Sequence, residues 1–89
     1  MANDPQIYFI EPKEVSVNWT GTVKITGAGF DNDCIAMFNG KVPRSSFVSS
    51  GQLNAEVDKD ITSQAGQQTV KVHRQSDGTL SNEVAFIVK

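Results

Sequence analysis

Thr22-Val23-Lys24-Ile25-Thr26-Gly27-Ala28-Gly29-Phe30 alternates polar and apolar side chains and then breaks on two glycines before an aromatic ring. Side chains in a strand point alternately to opposite faces, so this stretch predicts a half-buried strand with Val23 and Ile25 inward. The glycines let the chain turn off the strand, and Phe30 can then plug the end of a core. The same period recurs at Leu53-Ala55-Val57, Val70-Val72 and Val84-Phe86-Val88. Cys34 to Phe38 is a further strand, ending on Asn39-Gly40, a strong hairpin signal because both residues tolerate positive φ. Ser76-Asp77-Gly78 predicts the turn joining the last two strands. Helical spacing is confined to Asp58–Gln64, where Asp60 suits an N-cap and Gly66 a C-terminal close. Turn signals about every ten residues predict an all-β sandwich or small barrel of about seven strands.

Length and composition set the bounds. Eighty-nine residues make one domain, expected over 1–89. No apolar run approaches the roughly 18 residues that span a membrane, so no membrane insertion is expected. The Met-Ala-Asn-Asp-Pro-Gln start lacks a signal peptide's basic and apolar regions. The expectation is therefore an intracellularly made component, such as part of a phage virion or tail, or a piece of a larger surface protein. Net charge is −2 and the eight Lys and Arg are dispersed, so no nucleic acid partner is expected. Cys34 is the only cysteine, which excludes an internal disulfide and any cysteine-based zinc site.

The order of punctuation narrows the fold. Pro5-x-Ile7-x-x-Ile10-x-Pro12, Thr26-Gly27-Ala28-Gly29-Phe30, Ala36-Met37-Phe38-Asn39-Gly40 and Ser81-Asn82-Glu83-Val84-x-Phe86-x-Val88 stand in that order. The chain resembles the IPT/TIG domain shared by plexins, transcription factors and bacterial surface proteins. The resemblance implies an immunoglobulin-like β-sandwich of the E-set type, with two antiparallel sheets. It also implies a non-catalytic module that spaces domains, pairs with copies of itself, or presents loops to proteins or glycans. Against the family pattern, Tyr8 and Phe9 replace small polar residues, and Trp19 stands where glycine or a polar residue is usual.

Chemistry finds little support. Nucleophilic catalysis needs a nucleophile, a base and a group that orients the base. His73 is the one histidine and is expected outward, Cys34 is expected inward and inert, and the carboxylates are scattered. No catalytic residue and no cofactor is expected. Asp31-Asn32-Asp33 is a weak calcium candidate, because calcium takes six to eight oxygens and three neighbours supply too few. Asn18-Trp19-Thr20 matches a glycosylation sequon by spacing alone.

Apolar residues on outward positions are more informative. If Cys34, Ala36 and Phe38 face the core, Ile35 and Met37 face away, as does Ile87 beside Ala85. In an immunoglobulin-like layout these strands share a sheet, so Ile35, Met37, His73, Ala85 and Ile87, with Lys71, should form an outer binding patch. A one-residue slip would turn any of these sets inward. A protein partner follows: a neighbouring domain, a second copy or a larger assembly. The alternative is a glycan stacked on Trp19 and Tyr8, since a sugar's C–H face suits an exposed aromatic ring.

Overall fold

Each alternating run becomes a strand whose buried residues are those the pattern selects. The structure, a computed structural model, describes residues 4–89; Met1 to Asn3, part of the single-domain expectation and of the leader reading, lie outside them. Strands β1 (Gln6–Glu11), β3 (Gly21–Ala28), β6 (Gln52–Val57) and β5 (Arg44–Ser49) form the first sheet, in the order β1-β3-β6-β5. The second sheet runs β2-β9-β7-β4, from β2 (Glu14–Val15), β9 (Val84–Val88), β7 (Gly66–Arg74) and β4 (Cys34–Phe38). The two-residue strand β8 (Thr79–Leu80) pairs with the upper part of β7. The expectation of about seven strands rises to nine among the described residues, because β2 and β8 are too short to show alternation. The second sheet is mixed rather than purely antiparallel, since β2 pairs with β9 in parallel. That parallel pair arises because the chain leaves the first sheet after β1, past the cis Glu11–Pro12 peptide, and joins the other sheet's edge.

The core lies between the sheets. Val23, Ile25, Leu53, Ala36, Val70 and Val72 are fully buried, and the Phe38 and Phe86 rings meet edge to face at 5.2 Å. Such a ring pair adds about 1 kcal/mol to the area it buries. Accessible surface totals 5049 Å², close to the roughly 5,100 Å² expected of a well-packed chain of this mass.

Gly27 and Gly29 act differently from one another. Gly27 sits within β3, and a Cβ there would stand 1.8 Å from the Gln6 carbonyl oxygen and 2.9 Å from the Phe30 ring. It is glycine so that β1 and Phe30 can close over it. Gly29 turns the chain at φ 76°, and Phe30 then plugs the top of the sandwich at 3% exposure.

Three local expectations change. Asn39 (φ 55°) and Gly40 (φ 90°) make a tight turn closed by two Phe38–Lys41 backbone bonds, but the ladder stops there. The chain then crosses to the first sheet as β5, so the turn starts no hairpin. Helix α1 (Lys59–Thr62) is capped by Asp58, whose extended backbone lets its carboxylate accept the Asp60 N–H at 3.1 Å. Asp60 is thus inside the first turn, Ser63 is the C-cap, and Gly66 opens β7 instead of closing the helix. Ser81 and Asn82 interrupt the β8–β9 line and bond to other strands. Ser81 exchanges bonds with Val72, while the Asn82 amide accepts the Ile7 N–H at 2.7 Å and donates to the Ile7 carbonyl at 2.9 Å. One side chain thereby ties the first sheet to the second.

Candidate interaction surface

The register fixes the outer face of the second sheet. Cys34, Ala36, Phe38, Val70, Val72, Phe86 and Val88 are buried, so Ile35, Met37, Lys71, His73, Ala85 and Ile87 point away from the core. Ile35 lies opposite His73 and Met37 opposite Lys71, while Ala85 faces Thr69 and Ile87 lies between Gln67 and Glu14. Ile35 and Ile87 are therefore six residues apart along β7, about 20 Å. The five expected residues share one face but do not form one patch. Thr69 and Lys71 divide them, and the exposed Lys89–Glu14 ion pair at 2.7 Å lies beside the Ile87 end. That ammonium holds the Glu14 carboxyl below the usual carboxylate range, first through its hydrogen bond and then through charge.

The upper end is different. His73 pairs on its other side with Leu80, which is 51% exposed, so Ile35, His73 and Leu80 form a row across three strands. Beyond Leu80 a shallow groove of about 310 Å³ runs to Tyr8, 62% exposed, with Asn82 and Ile7 between them. Leu80 escaped the sequence reading, although counting back from the Asp77-Gly78 turn places it opposite His73. Tyr8 and Phe9 are exposed together because the β1–β3 register shifts between Ile7 and Phe9. A bulge there puts two successive side chains outside and restores Ile10 to the core.

Trp19 takes another role. It is half-buried and packs against the core, with its ring over Gly21, where a Cβ would stand 2.7 Å away. Its carbonyl accepts the hydroxyl of fully buried Thr62 at 2.7 Å, and the Asn18 N–H bonds the Thr62 carbonyl at 2.8 Å. Trp19 thus closes the bottom of the sandwich against α1. Tyr8 is near the Gly27 end of β3 and Trp19 near Gly21, about 20 Å apart.

The Asp31-Asn32-Asp33 loop is organised around a residue the sequence reading passed over. Arg74 has the same parity as Val70 and Val72 and points inward, 3% exposed. Its Nε lies 3.2 Å from Asp31 Oδ2, its Nη1 3.2 Å from Asp77 Oδ2, and its Nη2 donates to the Gly29 carbonyl at 2.6 Å. Asp31 Oδ1 also accepts the Asp33 N–H at 2.9 Å, so its carboxylate serves this cap, while Asn32 and Asp33 are exposed. No group of three metal-ligating side chains occurs among the described residues. Asp77 is held below the usual carboxylate range, first by the Thr79 hydroxyl and N–H and then by Arg74. Burial pushes the Cys34 thiol up, opposed by the Asp31 N–H on its sulfur.

Two facing sheets, with the chain crossing from one to the other between β1 and β2, define an immunoglobulin-like β-sandwich. The IPT/TIG domain model matches residues 5–88, and the chain belongs to that family. IPT/TIG domains are non-catalytic and mediate protein–protein or DNA interaction and structural roles. A comparison with curated proteins gives no match.

Proposed function

We propose that this domain is a non-catalytic protein-interaction module that docks a partner protein on the upper outer face of its second sheet. The observation carrying this reading is the Ile35–His73–Leu80 row across three strands, with exposed Tyr8 on the far side of the adjoining groove. Its setting would be a surface protein or a virion assembly, where a 40 × 19 × 19 Å body also serves as a spacer. The scattered cations give a DNA-binding role no support. The packed position of Trp19, far from Tyr8, gives a glycan-stacking role none either.

The test is binding of wild type, Leu80→Lys and Ile35→Lys to the parent assembly, after circular dichroism confirms folding. Each variant should weaken retention about tenfold or more. Variants that bind as wild type, or a glycan titration that shifts Trp19 emission, would overturn the reading.

A further inference from the structure

β5 is the outer strand of the first sheet, and its backbone pairs only with β6, although the Ser45 hydroxyl reaches across to β4. The facing edge of the second sheet is covered. Along β4, the Cys34 N–H reaches the Asp31 carbonyl at 3.1 Å and the Ala36 N–H reaches Ser45 Oγ at 3.1 Å. Phe38 exchanges both of its backbone bonds with Lys41. On β1, the Asn82 amide covers the edge at Ile7. The outward backbone groups of β5 have no such cover.

Alternation identifies its open groups. The Gly27 N–H bonds the Gly51 carbonyl at 2.9 Å, which makes Ile25–Leu53 and Val23–Ala55 the hydrogen-bonded pairs between β3 and β6. β6 therefore turns Asn54 and Glu56 toward Ser46 and Arg44 of β5. The N–H and C=O of Ser45 and Phe47 then aim outward, and no described residue bonds them. Phe47 and Val48 beside them are 47% and 50% exposed.

We propose that this edge pairs with the same edge of a second copy of the chain, antiparallel, about a two-fold axis through Ser46. In that register Ser45 lies opposite Phe47 of the second copy, and Phe47 opposite its Ser45, so the outward groups of both strands are all bonded. Arg44, the strand's only charge, falls opposite Val48, so no like charges meet. The segment matches itself in bonding, and its one charge meets no like charge, so a second copy fits this edge. Pro43 and the irregularity between Phe47 and Ser49 limit the pairing to a few residues. The contact is therefore small, below the roughly 1,200 Å² of stable complexes, and the dimer is weak. This edge and the docking face of the preceding section lie on different sheets, so neither reading rests on the other.

Sedimentation equilibrium from about 10 μM to about 1 mM tests the pairing. Wild type should shift from monomer toward dimer, with amide exchange at Ser45 and Phe47 slowing as concentration rises. Ser46 is exposed, and its opposed Cα atoms would stand about 4.5 Å apart across the axis. Ser46→Lys and Ser46→Glu should each weaken self-association roughly fivefold, and their equimolar mixture should associate more tightly than either alone. A chain that stays monomeric throughout, or a dimer indifferent to both charges and to their mixture, overturns the proposal.

Discussion

Asn82→Ala removes one side chain and two bonds between the sheets, at 2.7 and 2.9 Å to the Ile7 backbone. Each such bond contributes about 1 kcal/mol net. Ile7 is only 4% exposed, so its freed groups carry a desolvation cost as well. Asn82 itself is exposed, and water entering behind the truncated side chain offsets much of that cost. The sum is a loss of about 2 kcal/mol, roughly 10 °C in Tm for a domain of this size. Urea unfolding followed by Trp19 fluorescence reads the stability. Native-state hydrogen exchange reads the mechanism, because 2 kcal/mol is about a 30-fold faster opening at the Ile7 amide. Asn82→Asp should do no better, since it keeps the acceptor but sets a carboxylate against the Ile7 carbonyl. A Tm loss under about 3 °C with the Ile7 amide still protected would refute the reasoning.

Gly27→Ala should abolish a soluble fold or cost more than about 3 kcal/mol, judged by circular dichroism and soluble yield, because its Cβ meets the Gln6 carbonyl. Arg74→Lys keeps the charge but loses the planar fork shared among Asp31, Asp77 and Gly29, and should cost about 1–2 kcal/mol in urea unfolding. Asp77 ionises more readily folded than unfolded, so its contribution is present above about pH 4 and fades as pH falls through its lower folded value. Asp77→Asn should therefore flatten the acid side of a Tm-against-pH curve. Cys34, buried with its thiol pushed up, should react slowly with a thiol reagent at pH 7 in the native protein and quickly in urea.

Legibility followed the physical source of each element. β3, β6, β7 and β9 have one buried and one wet face, and a period of two records that directly. β5 buries almost none of its side chains, so Arg-Ser-Ser-Phe-Val-Ser carries no alternation to read. The bulge at Tyr8 leaves an adjacent exposed pair whose meaning depends on the partner strand. Arg74, like Leu80, was a legible signal passed over: a cation on the same parity as Val70 and Val72, with aspartates on both nearby turns. The Asn82–Ile7 tie spans 75 residues, and the Trp19–Thr62 contact spans 43. No local pattern encodes either. Within the candidate surface, the facing of each strand was readable, but the spacing along β7 that splits the expected patch came only from the pairings.

The parallel pairing of β2 with β9 has a mechanical side. The chain enters at the Ile7–Asn82 end and leaves at the opposite end, where Lys89 bonds Val15 and Val17. A force pulling residues 5 and 89 apart therefore slides β2 along β9. The Ile87–Lys13, Lys89–Val15 and Val17–Lys89 bonds, at 2.8, 2.8 and 3.1 Å, then bear load simultaneously and must break together rather than unzip in turn. A domain strung this way holds its length under tension and yields abruptly.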